Sequence, residues 1–261
     1  MEQHGNNHQQ NVIAIIPARY DSVRLPGKML LPIGGKALIL HTCERARAAS
    51  LVDRVTVATD DQRIFDAVAA GGFEVVMTSA EHRSGSDRIA EVAEGLADGT
   101  IVVNVQGDEP TIDPETIDRA VKEMISDTSA DIVTVYEMIE TATDLADPNI
   151  VKVVSDSSGR ALYFSRSPIP FVRDRVGDFD LQAGHYKKHT GLYVYRREFL
   201  LRFSKMGPGR LELAEKLEQL RALENGAIIK VVEAAGRSVG VDTPDDLEKM
   251  RAVLEAQLTY N

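Results

Sequence analysis

The chain has 261 residues, 43% of them hydrophobic and 27% charged, which suits a globular protein with a substantial core in one large domain or two small ones. Its formal charge of −10 disfavours nonspecific binding to nucleic acid or an anionic membrane. The single cysteine, Cys43, excludes an internal disulfide, no Cys/His array has zinc-site spacing, and no apolar run approaches the ~18 residues of a membrane-spanning helix.

The first ten residues, MEQHGNNHQQ, are polar and lack the apolar stretch of a signal peptide. They read as a frayed, disordered tail (1–10) ahead of one domain (11–261), and cytoplasmic residence follows by default. The run NVIAII (11–16) has the near-continuous apolarity of a parallel strand covered on both faces. A helix over 36–50, with Cys43 as a small buried hydrophobe, is followed by a strand over 54–59. Asp60 is placed to cap a helix over 60–72 that ends on glycine. Strand 73–78, helix 85–99 stopping at Gly99, strand 100–105 and helix 113–126 with Pro114 in its first turn complete the first half. That alternation argues for a parallel sheet with helices on both faces.

The second half is mixed. Segments 130–139, 149–156, 161–166 and 188–197 read as strands, and 173–186 as the longest loop. Residues 211–226 read as one strong amphipathic helix ending at Gly226, then a strand over 227–234. A helix over 243–258 takes Thr243 as its cap and Pro244 at its first position, with Asp245 and Asp246 suited to the helix dipole.

In such sheets ligands bind beyond the carboxyl ends of the strands, and the segments expected there are polar. Between Ala18 and Lys36 the chain carries Arg19, Arg24, Lys28 and Lys36 against Asp21 alone. With Ser22, Pro26 and Gly27 they can cradle a polyphosphate, although surface salt bridges around a plain turn would look the same. Neither GxxxxGK[ST] nor GxGxxG occurs. Asp108, in VVNVQGDEP, follows a buried strand where a carboxylate can meet phosphate-bound Mg²⁺, or simply build a turn. Asp242, in GVDTP, is the natural second carboxylate. In RSGSDR, Ser84, Ser86 and Asp87 can cap the next helix or form a turn that reads a pyrimidine edge.

Taken in order, IPARYDSVRLPGKML, VATDD, EHRSGSDRIAEV, IVVNVQGDEP, NIVKVV, ALYFSRSPIPF, LEQLRALENG and GVDTPDDLEKMR resemble the 3-deoxy-manno-octulosonate (KDO) cytidylyltransferases over about residues 11 to 255. The resemblance implies a Rossmann-like nucleotidyltransferase fold of the nucleotide-diphospho-sugar transferase type. Its sheet would be mixed but mostly parallel, with a smaller β-rich subregion at about 160–225 for a homodimer. It implies transfer of CMP from CTP to the anomeric hydroxyl of KDO, with release of pyrophosphate, for lipopolysaccharide synthesis. By position, Arg19, Ser22, Arg24 and Lys28 would hold the triphosphate, and Thr59, Asp60, Ser84, Gly85 and Gln106 the nucleoside side. Asp108 and Asp242 would bind Mg²⁺. Arg19, Arg24, Lys28 and Asp108 would be the catalytic set. Gln106, Arg166, His189, Tyr193, Glu218 and Gln219 would form the sugar-acid site, in which Arg166 and His189 suit a carboxylate.

Three positions depart from the commoner pattern: Ser86 where threonine is frequent, Thr190 where an apolar residue follows the histidine, and the absence of PLE before EKLEQL. The first keeps the hydroxyl, and the last two, near the acceptor region, leave open an acceptor such as 8-amino-KDO. A GT-A-type glycosyltransferase is the other reading, since Asp178-Phe179-Asp180 has the form of its DxD metal motif.

Overall fold

In the computed structural model, residues 10–21, 25–173 and 181–259 are described. The first strand, β1 (Val12–Ala18), is buried along its whole length. Val12, Ala14 and Ile16 enter one apolar cluster, and Ile13 and Ile15 enter the other on the opposite face. The period-two alternation of a strand therefore feeds two cores, which is why the segment has no polar face.

After a short hairpin, β2 (Pro32–Ile33) and β3 (Lys36–Ala37), comes helix α1 (Leu38–Arg47). The expected helix 36–50 is thus shorter, because Lys36 and Ala37 pair with Ile33 and Pro32. Cys43 is fully buried in α1, and burial pushes its thiol up to about 12. Strand β4 (Arg54–Thr59) leads to α2 (Gln62–Ala70), and β5 (Glu74–Met77) to α3 (Gly85–Glu94). The cap of α2 is Asp61, whose carboxylate accepts the Arg63 N–H, and not Asp60. Asp60 instead pairs with Arg88. Helix α3 closes on Gly95, four residues before the expected Gly99. Strand β6 (Ile101–Asn104) and α4 (Pro114–Ser126), capped by Asp113, complete the first half.

The second half adds β7 (Ile132–Met138), α5 (Ala142–Ala146), β8 (Lys152–Ser155), β9 (Ala161–Ser165), β10 (Lys187–Arg196) and α6 (Arg197–Phe203). Then come α7 (Arg210–Glu215), α8 (Gln219–Glu224), β11 (Ile229–Glu233) and α9 (Pro244–Thr259). The single helix expected over 211–226 is broken. Lys216 takes a left-handed conformation (φ 56°), ends α7 and sets off α8 at a new start.

The sheet runs β11-β7-β10-β6-β1-β4-β5. Strands β6, β1, β4 and β5 are parallel, as are β11 and β7; β10 runs antiparallel between the two sets, and β8 with β9 extends from it. One core, with Leu38, Ile117 and Leu247, and a second, with Ile89, Phe199 and Leu220, cover the two faces. Each such fully buried side chain contributes roughly 1.5–3 kcal/mol. Successive crossovers carry the chain from β1 outward to β4 and β5, and the next brings it back to β6 on the other side of β1. That reversal opens a crevice at the carboxyl ends of β1 and β6. No helix among the described residues is long and apolar enough to cross a membrane.

Candidate active site

The crevice has a volume of about 410 Å³, of a size that takes a small ligand. Pro17, Arg19, Asp21, Lys28 and Met29 line it from the β1 side, Arg83, Ser84, Gly85 and Arg88 from the start of α3, Gln106 from the end of β6, and Asp242 from the loop before α9. Segments far apart in sequence thus meet where four parallel strands end.

Lys28 is held by the turn that precedes it. The Gly27 N–H donates to the Tyr20 carbonyl at 3.0 Å and its φ is 68°. A Cβ there would stand 3.1 Å from the Tyr20 ring, so glycine is required on both counts. Gly107 has a different constraint: a Cβ would meet Ile39 Cδ1 at 3.0 Å and the Pro17 carbonyl at 3.1 Å. Its own carbonyl accepts the Thr42 hydroxyl at 3.0 Å. The turn carrying Asp108 is thereby packed directly onto β1 and α1.

The buried Lys28 ammonium donates to Asp108 at 2.5 Å, Asp242 at 3.0 Å and the Val241 carbonyl at 3.2 Å. Burial alone would lower its pKa, but the two carboxylates outweigh that and hold it above the ordinary lysine value. Beside Asp108, burial pushes the Glu109 carboxyl up to about 7. Arg19 donates to the His82 carbonyl and links the β1 loop to the segment before α3. Ser22 and Arg24 lie outside the described residues, as do residues 1–9 of the expected tail (1–10) and Asp178-Phe179-Asp180.

On the expected nucleoside side, Ser84 caps α3 by accepting the Asp87 N–H at 3.1 Å, and it lines the crevice with Gly85. Thr59 is fully buried, and its hydroxyl accepts the Asp61 N–H. Asp60 accepts Arg88 at 2.6 Å. Arg88 itself was not singled out by sequence reasoning. Its guanidinium is completely buried, tying Asp60 to Thr78 at the crevice wall. The available signal was a cation directly before Ile89, on the face of α3 that enters the core.

The expected sugar-acid residues extend from Gln106 towards β10. Gln106 donates to Asn104 at 3.2 Å, and Tyr193 pairs with Asn104 across the strands. His189 packs edge-on to Phe164 and beside Tyr193. The residue as a whole is half-buried, and the burial of its ring lowers its pKa to about 3. The Thr134 hydroxyl lies 2.9 Å from His189 Nε2 and gives its one proton to the Leu192 carbonyl at 2.6 Å. It therefore accepts from Nε2–H, and a neutral ring carries its lone pair on Nδ1. His189 is thus a neutral hydrogen-bonding group. Burial also raises the Tyr193 phenol well above its usual range.

Arg166 spends its guanidinium on the Glu215 carbonyl at 2.7 Å, Pro148 at 2.8 Å and Lys216 at 3.4 Å. Glu218 accepts the Ser86 hydroxyl at 2.8 Å, joining α8 to the start of α3. Glu218 lines a neighbouring cleft with Arg83 and Ser84, and Gln219 is buried behind it. Thr190, one of the unusual positions, turns inward and donates to Glu137 at 3.1 Å.

A sheet reversal that presents cations from one loop and carboxylates from two others defines a nucleotide-handling transferase, and the family model described as cytidylyltransferase matches residues 13–233. Curated 3-deoxy-manno-octulosonate cytidylyltransferases from Geobacter sulfurreducens and Solibacter usitatus are 54% and 47% identical, covering 92% and 95% of this chain and 98% and 96% of their own lengths. A solved structure of CMP:2-keto-3-deoxy-manno-octonic acid synthetase complexed with CTP has a TM-score of 0.88 and 42% identity, covering 95% of this chain and all of the other. The 4-diphosphocytidyl-2C-methyl-D-erythritol synthase of Anaerococcus prevotii, 16% identical with a TM-score of 0.60, shares the fold. The chain belongs to the 3-deoxy-manno-octulosonate cytidylyltransferase family.

Proposed function

We propose that the chain transfers CMP from CTP to the anomeric hydroxyl of KDO, giving CMP-KDO and pyrophosphate for lipopolysaccharide synthesis. The observation that carries this reading is the meeting of Lys28, Asp108 and Asp242 at the mouth of a nucleotide-sized crevice in a chain of this family. Phosphoryl transfer asks a protein for position and charge compensation more than for covalent chemistry. Arg19 and Lys28, with Ser22 and Arg24, hold the triphosphate and offset charge on its nonbridging and leaving oxygens. Thr59, Asp60, Ser84, Gly85 and Gln106 form the nucleoside side, with Arg88 bracing it from behind. Gln106, Arg166, His189, Tyr193, Glu218 and Gln219 form the acceptor side. There, neutral His189 offers an acceptor to a sugar hydroxyl, and the acceptor oxygen is held in line with departing pyrophosphate.

Mg²⁺ fits the residues present. Two carboxylates already converge on one cation, the Lys28 ammonium. Magnesium commonly takes one or two carboxylates together with substrate phosphates and water. Asp108 and Asp242 would hold it, and when bound it supplies charge neutralisation at the phosphates and eases loss of the acceptor proton.

We further propose a cytoplasmic homodimer. Leu162 on β9, Phe171 beyond it and Leu213 on α7 are 60%, 75% and 53% exposed within the subregion expected to self-associate. Sedimentation at micromolar concentration tests this, and a monomer there would contradict it.

The activity is tested by pyrophosphate release on mixing the protein with CTP and Mg²⁺, with KDO, with 8-amino-KDO or with neither. Release that requires KDO supports the reading. Preference for the amino sugar reassigns the acceptor. Transfer from a finished nucleotide sugar, without pyrophosphate, would place the chain with the glycosyltransferases.

A further inference from the structure

The loop between β11 and α9 delivers Asp242, yet it has no strand or helix of its own to hold it. Its backbone is pinned by other means. The Ala235 N–H donates to the Thr116 hydroxyl at 2.9 Å, Ser238 N–H to Glu137 at 3.4 Å, Val239 N–H to the Thr111 hydroxyl at 3.2 Å, and Val241 N–H to the Asp108 carbonyl at 2.9 Å. The Ser238 hydroxyl donates to Glu109, the neighbour of Asp108. At the far end, Asp246 accepts the N–H groups of Asp242 and Thr243.

Ser238 and Glu137 are each 8% exposed, and both sit where this strap crosses the sheet. Glu137 Oε1 takes both the Ser238 N–H and the hydroxyl of Thr190 on β10, while Oε2 faces Lys188 at 3.7 Å. A polar relay therefore runs from Thr190, next to His189, through Glu137 and Ser238 to Glu109, and so to the turn that carries Asp108. It also gives the inward-turned Thr190 hydroxyl a use.

We propose that Ser238 and Glu137 are positioning residues that seat Asp242 opposite Asp108, so that both carboxylates address one cation. The proposal rests on the reading of Asp108 and Asp242 as the Mg²⁺ ligands. Neither Ser238 nor Glu137 lines the crevice; each acts through the strap. Groups bonded directly to metal ligands typically change affinity by 10–100-fold when removed, and anchors one step further back are expected at the low end of that range.

The test uses the full-length protein with CTP and no acceptor, and reads Mn²⁺ binding by electron paramagnetic resonance beside thermal melting. Asp242→Asn is the control for the metal assignment. The expected result is that Ser238→Ala and Glu137→Gln each weaken Mn²⁺ binding by about tenfold or more, and that Ser238→Thr, which keeps the hydroxyl, restores it. A purely structural role would lower the melting temperature and leave the Mn²⁺ affinity of the folded protein unchanged. If Asp242→Asn weakens binding while Ser238→Ala and Glu137→Gln bind as tightly as the unsubstituted chain, the positioning proposal is overturned. If Asp242→Asn itself binds Mn²⁺ normally, the metal assignment falls first. Should Ser238→Ala fail to fold, Glu137→Gln, which keeps the size of the side chain, decides alone, and unchanged Mn²⁺ binding in it overturns the proposal.

Discussion

Asp108, beyond the central strand β6, and Asp242, beyond the edge strand β11, share a single ammonium: Lys28 Nζ lies 2.5 Å from one carboxylate and 3.0 Å from the other. Sequence reading assigned Lys28 to the triphosphate and the two aspartates to a metal. The structure joins the three in one electrostatic unit. A lysine that compensates both carboxylates keeps the site from holding two unpaired negative charges at close range. On the proposed function, Mg²⁺ would take over the two carboxylates and leave the ammonium for the phosphates.

The seating of Asp108 depends on Gly107. An added methyl would be driven against Ile39, the Pro17 carbonyl and Met29 Cε, the last at 3.2 Å. Gly107→Ala is therefore expected to lose about 1–3 kcal/mol of stability, as for other overpacked sites. It should also lower turnover more than nucleotide affinity, because the displaced residue is the proposed metal ligand. Urea denaturation and a separate measurement of kcat and KM for CTP check both parts.

His189 gives the protein an acid limb. Its native pKa is about 3 against an ordinary 6.5, because burial disfavours the charged ring. Between those values the unfolded chain binds a proton that the native chain refuses, so stability falls as pH drops from about 6.5 towards 3. Above pH 6.5 this contribution is fully present and flat. His189→Asn should show a shallower loss of unfolding free energy between pH 7 and pH 5 than the unsubstituted protein. Parallel slopes would contradict the assignment of a neutral histidine.

Lys216 marks where pattern reasoning failed. The apolar spacing over 211–226 reads as one helix, but Lys216 in the left-handed region divides it. Tertiary contacts override the local preference: Arg166 takes the carbonyls of Glu215 and Lys216, and the Glu215 carboxylate takes the Arg166 N–H and the Ser165 hydroxyl. Lys216→Gly should relieve the strained φ and stabilise the fold by up to about 1 kcal/mol, offset in part by the freer unfolded chain. A melting temperature clearly below that of the unsubstituted protein would contradict this.

Other elements were open to sequence reading for identifiable reasons. The strands of the first half are apolar on both faces, and Pro114 in the first turn of α4 and the Thr243 cap of α9 are local start signals, the cap accepting the Asp246 N–H. Motif order identified the family. What stayed hidden depends on contacts across the chain. Asp60 rather than Asp61 looked like the cap of α2 because its partner, Arg88, lies on another helix. The neutrality of His189 follows from Phe164, Tyr193 and Thr134, which no spacing rule brings together. The β10 strand, antiparallel inside a largely parallel sheet, was visible as a strand but not as the joint between its two parallel sets.

The account stands most directly on the two carboxylates. Pyrophosphate release from CTP and KDO should be measured across a Mg²⁺ titration for the unsubstituted chain, Asp108→Asn and Asp242→Asn, with CTP binding checked separately. The expected outcome is that each variant remains folded and binds CTP but turns over roughly 10²–10⁴ times more slowly at saturating Mg²⁺. Turnover within about threefold of the unsubstituted protein, under half a power of ten in rate, would contradict the account.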